Sequence, residues 1–231
     1  MERRRSGSGC AGGPGLRTFP IMANVLKIVQ AGHPVLRQRA RPLTVEEIRG
    51  PEIARLVEEM RETMRDAPGV GLAAPQVGLP IQLVVIEDRP EYVERGDPEE
   101  MKERERAAVP FQVLVNPRLA IVDGAPIEQF EGCLSVADFM MIVPRVRAVK
   151  VDALDHNAEP VTLSFSGWPA RILQHEIDHL RGVLCIDRMR SRTLTNSRNH
   201  ARYWQDHAPL DVLGRVGTSD ATDAPLASGD A

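Results

Sequence analysis

Apolar residues recur along this chain with two different periods, and the changes of period mark its elements. Ile53, Leu56, Val57, Met60 and Met64 follow Pro51 at helical spacing, which predicts an α-helix over 51–66 with proline in its first turn. The loop DAPGVGLAAPQVGLP comes next, and IQLVVIE then reads as a buried strand. The charged stretch 88–109 is expected to be solvated, with room for a short surface helix. Beyond it FQVLVNP, RLAIVD, MMIVP, RVRAVKVDAL and PVTLSFS are β-branched runs punctuated by Pro, Gly, Asp or Asn, which predicts short, mostly antiparallel strands. Helical spacing returns late, from Gly167 to Leu180, where Ile172, Leu173, Ile177 and Leu180 share one face. Strands first and this helix afterwards predict the α+β class, with the strands packed around the late helix.

The ends of the chain carry no such pattern. Residues 1–21, rich in Gly, Arg and Ser, read as a disordered or transit-like extension, and the patterned sequence begins at Met22. Residues 206–231 are mostly Gly, Ser, Asp, Thr and Ala and read as a disordered tail with nothing to dock. One domain, 22–205, is left between them.

Composition narrows the function classes. With 42% hydrophobic and 26% charged residues, the 231-residue chain resembles an ordinary soluble globular protein, long enough to bury a core. A net charge of -3 offers no basic field for specific nucleic-acid binding. No apolar run approaches the roughly 18 residues of a membrane span. Cys10, Cys133 and Cys185 are an odd number, which fits a reducing compartment where cysteine serves packing, metal or catalysis rather than structural disulfides.

The candidate chemistry lies in QHEIDHL. On a helix, His175 and His179 stand one turn apart on the same face and can share a metal, while Glu176 can reach a water held there as general base. Two satisfied core histidines would give the same short motif. A third ligand is needed, and two sulfurs offer it. HEIDHLRGVLC matches the spacing of metzincin proteases, with Cys185 in place of their third histidine. Cys133, in FEGCLS, sits instead where a tight turn can aim a thiolate inward. VLCID is expected to form a strand behind the helix, where the Cys185 thiol would be buried and inert. A third stretch, GVGLAAPQ, weighs in: its glycines admit a close ligand, and Gln76 can donate to a developing oxyanion.

GVGLAAPQ, EGCLS and QHEIDHL, in that order, resemble the three signature motifs of the peptide deformylases. These enzymes remove the formyl group from N-formylmethionine at the start of nascent polypeptides. The similarity runs over about residues 25 to 190. It implies Cys133, His175 and His179 as metal ligands, Glu176 as general base, and Gln76 with the backbone N–H of Leu134 as oxyanion donors. It further implies that Gly71 hydrogen-bonds the substrate backbone, that Val70 and Trp168 shape the methionine pocket, and that Glu131 is among the substrate-binding residues. Asp178 is expected to pair with Arg145; as an ordinary surface pair this would be worth under about 1 kcal/mol. The implied cofactor is one Fe(2+) per chain, which Zn(2+), Ni(2+) or Co(2+) can replace. The implied partners are nascent N-formylmethionyl polypeptides at the ribosome, with no membrane.

Ala137 and Met140 stand where many bacterial members of that family have proline and arginine. Together with SGWPARILQHE they make the chain similar to the branch that includes organellar deformylases. The expected location is the bacterial cytoplasm, or the mitochondrion if the Arg-rich N-terminus is a transit peptide. Two rival readings are weaker. A metallopeptidase built on HEIDH and Cys185 leaves GVGLAAPQ and EGCLS unexplained, and a non-catalytic metal-binding module has no use for Gln76 and Glu176 together.

Overall fold

The computed structural model describes residues 24–217. The extension read over 1–21 and the tail beyond 217 lie outside the described residues. A 3-10 turn, Pro34–Arg37, and a short helix α1, Val45–Ile48, come first. Helix α1 carries a capping box between Thr44 and Glu47, which satisfies donors at its first turn. Helix α2, Pro51–Asp66, has the expected bounds. Pro51 tolerates the N-terminus because its missing N–H has no helical partner there, and Ile53, Leu56, Val57, Met60 and Met64 form its buried stripe.

Strand β1, Gly71–Ala73, a 3-10 turn Ala74–Val77 and strand β2, Leu83–Asp88, follow. Every residue of β2 is buried, and alternation explains how one strand serves two helices. Leu83 and Val85 pack with the α2 stripe, while Val84 and Ile86 face the other layer. The charged stretch forms two short helices without buried residues, α3, Pro90–Glu94, and α4, Pro98–Glu103.

Strands β3, Val109–Cys133, β4, Val136–Leu154, and β5, Pro160–Ser166, then complete an antiparallel sheet in the order β1-β2-β3-β4-β5. Here the structure corrects the sequence reading, which divided β3 and β4 into shorter pieces. The residues taken as breakers are absorbed by register shifts near Val115/Arg118, Ile121/Asp123 and Asp123/Pro126, and Asn116 supplies a left-handed φ of 53°. A bulge bends a strand without ending its ladder.

Helix α5, Gly167–Leu180, is as expected, and lays Ala170, Ile172, Leu173, Ile177 and Leu180 on Ala73, Val84, Ile86 and Leu114. Gly182, at φ 75°, ends it: the N–H of Val183 bonds to the carbonyl of Asp178 and that of Gly182 to His179, a Schellman closure. The expected strand at VLCID does not form. Cys185–Asp187 is a 3-10 turn, because the reversal at Gly182 leaves the segment bonded to itself, with Leu184 N–H capped by Asp187 at 2.8 Å.

A 3-10 turn Ser191–Thr193, strand β6, Thr195–Asn196, paired on β4, and helices α6, Ser197–Tyr203, and α7, Pro209–Val216, close the described chain. Within the tail read as disordered over 206–231, helix α7 corrects that reading for Pro209–Val216. Its Val212 and Leu213 are buried against Phe130 and Ile142. Val212, Leu213 and Val216 on one face of an eight-residue helix are a short signal in a tail dominated by small and polar residues.

Candidate active site

The two-residue turn joining β3 to β4, Leu134–Ser135, projects Cys133 toward α5, with Cys133 and Val136 paired across it. From α5 come His175 and His179, whose rings meet at 5.0 Å and 74°. One sulfur or nitrogen atom from each of Cys133, His175 and His179 lies within 4.8 Å of the other two. The Cys133 Sγ is 3.4 Å from His179 Nε2, and Gln76 Nε2 approaches the same sulfur at 3.8 Å. Cys185 is buried beside Cys133, Met141 and Val143 and is outside this ligand set.

The glycines of GVGLAAPQ act through what they lack. A Cβ on Gly71 would fall 2.3 Å from Glu176 Oε1, so only glycine lets β1 pass the helix with that carboxylate in place. A Cβ on Gly69 would fall 2.9 Å from Leu134 Cδ1. Gln76 is oriented by its other end, since its Oε1 accepts from the Ala73 N–H at 2.8 Å and the amide nitrogen is left facing the sulfur. Val70, Gly71, Gln76, Glu131, Cys133, Leu134, Trp168, His175 and Glu176 all line one cleft of about 490 Å³, and His179 stands behind it.

Glu131 does not play the expected substrate-binding part through its carboxylate. Both oxygens are taken: Oε1 by Arg145 Nε at 2.9 Å and Arg171 at 2.7 Å, Oε2 by Arg145 Nη2 at 3.1 Å and His175 Nδ1 at 3.0 Å. The side chain serves as the anchor of His175 instead. Arg145 also donates to Asp178, which Arg188 grips with bonds of 2.6 and 2.8 Å. The Asp178–Arg145 pair is therefore a buried link in a network, not the ordinary surface pair weighed from the sequence. Arg171 was missed altogether. Its signal was a charge one turn before His175, on the face of α5 that also carries Gln174, His175 and Asp178.

Burial and partners set the charges. Burial would lower the His175 pKa, but the hydrogen bond it donates to Glu131 and the charge of that carboxylate raise it to about 9. Burial would raise Glu131, yet His175 and Arg145 hold it well below the usual carboxylate range. His179, buried and facing His175, is pushed well below its ordinary value, and its Nδ1 has no protein partner. Burial lifts Glu176 to about 7, and its Oε2 also lacks a partner. The adjoining Cys185 thiol and burial push Cys133 up.

Two arginines of the charged stretch stand at Trp168, and one of them, Arg106, lines the cleft. Arg104 and Arg106 stand over the Trp168 ring at 5.0 and 5.5 Å, and Arg106 is held by Asp88 with bonds of 2.8 and 2.9 Å. The solvated stretch thus returns to the domain as part of the cleft.

Converging thiol and imidazole donors, a buried carboxylate without a partner and an oriented amide, set where a sheet meets a helix, define a metal-dependent hydrolase. Residues 25–194 match the family described as polypeptide deformylase. Peptide deformylase 3 of Streptomyces avermitilis is 47% identical over 194 residues, which cover 83% of this chain and 84% of that protein. Peptide deformylase 1A, chloroplastic, of Solanum lycopersicum is 44% identical over 74% of this chain, and the match spans 62% of that longer protein. The Met-Ala-Ser-bound class I type b peptide deformylase of Acinetobacter baumannii superposes with a TM-score of 0.64 at 33% identity, over 73% of this chain and all of that one. The chain belongs to the polypeptide deformylase family, and with it to the enzymes that hydrolyse the N-terminal formyl group of polypeptides.

Proposed function

We propose that the cleft binds a formyl-methionyl N-terminus and that Cys133, His175 and His179 hold one divalent cation beside the formyl group. The observation that carries this is the convergence of the three donor atoms within 4.8 Å next to the buried, unpartnered Glu176 carboxylate. The donor set fits such an ion: two neutral-capable imidazoles and a thiolate, with room on the cleft side for a fourth ligand. When bound, the cation lowers the pKa of a water and polarises the formyl carbonyl.

The protein's own groups do the rest. Glu131 fixes His175 by its Nδ1, so that the opposite ring nitrogen faces the cation site. Glu176 takes the proton from the attacking water and delivers it to the departing amine, a task suited to a carboxylate poised near neutrality. The oxyanion that develops on the formyl carbonyl is met by the Gln76 amide and the Leu134 N–H, donors worth on the order of 3 kcal/mol each when preorganised. Val70 and Trp168 flank the methionine side chain, and Gly71, on the edge strand β1, pairs with the substrate backbone. Formate and a free amino terminus are released.

Ferrous iron is the resident cation in this reading, by the family resemblance; the mixed sulfur and imidazole donors suit zinc, nickel or cobalt equally well. The substrate is the nascent chain at the ribosome, in the bacterial cytoplasm. Similarity to a bacterial protein over most of both chains supports that location, and no described helix is long and apolar enough to cross a membrane. Anaerobic purification, metal analysis and formate release from a formyl-Met peptide test the whole reading. Formate release without bound metal, or bound iron without formate release, would refute it.

A further inference from the structure

The two oxyanion donors of the proposed reaction come from distant parts of the chain, Gln76 in the turn Ala74–Val77 and Leu134 in the turn between β3 and β4. One short stretch touches both. The Val29 N–H donates to the carbonyl of Gln76 at 2.9 Å, and the Ala31 N–H donates to the carbonyl of Ser135 at 2.7 Å. Between them, Gln30 Nε2 donates to the Leu134 carbonyl at 3.0 Å, while Gln30 Oε1 accepts from the Ala137 N–H at 3.2 Å.

Gln30 is exposed, so it contributes nothing to the core, and water is available to both ends of its amide. Keeping both ends on one backbone turn costs side-chain entropy, and that ordering has an effect to look for. Fixing the Leu134 carbonyl and the Ala137 N–H immobilises the peptide planes that follow Leu134 and precede Ala137, so the turn is held on the side after Leu134. Pairing of Cys133 with Val136 holds its other side. Among the described residues the Leu134 N–H has no protein acceptor, and the clasp leaves it directed rather than mobile. A donor already aimed at a developing charge needs no reorganisation when the charge appears.

We propose that Gln30 is a positioning residue for the oxyanion, holding the Leu134 N–H in line while the backbone of Val29 and Ala31 sets the distance from Gln76 to the turn. This rests on the reading of Gln76 and Leu134 as oxyanion donors. The test compares Gln30→Ala, Gln76→Ala and the double variant, each loaded with cobalt, on a formyl-methionyl peptide. For each, kcat and KM are measured together with melting temperature and the cobalt–thiolate absorption. Gln30→Ala is expected to lower kcat about 10-fold, a fraction of the 10²–10³ that a lost donor costs. Its KM, melting temperature and cobalt band should stay as in the parent protein, which a merely structural role would not allow. The double variant should lose less than the product of the two single losses, because both act on one oxygen. If Gln76→Ala slows the reaction and Gln30→Ala leaves kcat unchanged, or lowers it only along with melting temperature and an altered cobalt band, the proposal for Gln30 is overturned while the reading of the site stands. If Gln76→Ala leaves kcat unchanged, the oxyanion reading itself fails.

Discussion

Glu131 lies behind His175, with its Oε2 3.0 Å from the ring Nδ1, and this contact decides which imidazole nitrogen faces the cation site. Arg145 and Arg171 hold the same carboxylate, so the ring is tied to a buried network rather than to one flexible partner. Glu131→Gln keeps the shape and removes the charge. It should weaken metal affinity or activity about 10–100-fold, the usual effect of losing a residue that orients a ligand. Metal titration of the purified variant measures this; unchanged affinity and activity would remove Glu131 from the account.

Stability of the metal-free chain should fall as pH rises from 6.5 to about 9. The folded pKa of His175 is raised from 6.5 to about 9, so its contribution is fully present below pH 6.5 and disappears as pH rises through 9. Glu176, raised from 4.5 to about 7, acts in the same direction at lower pH. The His175 contribution is on the order of 3 kcal/mol. Melting curves in chelator at pH 6.5, 7.5 and 9 should show the decline, and nickel-loaded protein, whose His175 is neutral throughout, should not. A melting temperature that climbs over this range in chelator contradicts the assignment.

Glu176→Gln should keep the metal and lose most turnover, because the carboxylate moves protons and is absent from the converging donor set. A loss of at least about 100-fold in kcat is expected from removal of a general base. Metal analysis beside formate release separates this from a ligand role; a variant that arrives metal-free would make Glu176 a ligand.

Cys133→Ala should lose metal and activity together, whereas Cys185→Ala should keep both at a packing cost of order 1 kcal/mol. Cys185 is 1% exposed among Met141, Val143 and Cys133, a site for a small apolar side chain. An empty site in Cys185→Ala with a full one in Cys133→Ala would reverse the ligand assignment.

Removing residues 209–231 should destabilise the protein, contrary to what the composition of the tail suggests. Val212 and Leu213 are buried on Phe130 and Ile142, and each buried apolar side chain is worth about 1.5–3 kcal/mol. Chemical denaturation of chains ending at 208 and at 217 checks this, since only the first lacks α7. Equal midpoints for the two would show that α7 contributes nothing.

Local pattern determined the two long helices, because helical spacing of apolar residues needs no knowledge of what they pack against. It also carried the spacing of His175, Glu176 and His179, which a helix places on adjoining positions whatever surrounds it. Three ordered motifs sufficed for the family. Strand lengths were not legible: whether Pro126 or Asn116 ends a strand depends on whether the partner strand can take up a bulge. Residue spacing also left Cys133 and Cys185 both open as ligands. Only the Schellman reversal at Gly182 and the two-residue turn at Leu134–Ser135 put one sulfur among the imidazoles and the other behind them. Glu131 read from the sequence as a substrate-binding residue, and its contact with the ligand histidine became visible only when Arg145, Arg171 and His175, from a distant strand and helix, closed around it. Burial makes such charges interact strongly, and burial is a property of the folded chain, not of any stretch of it.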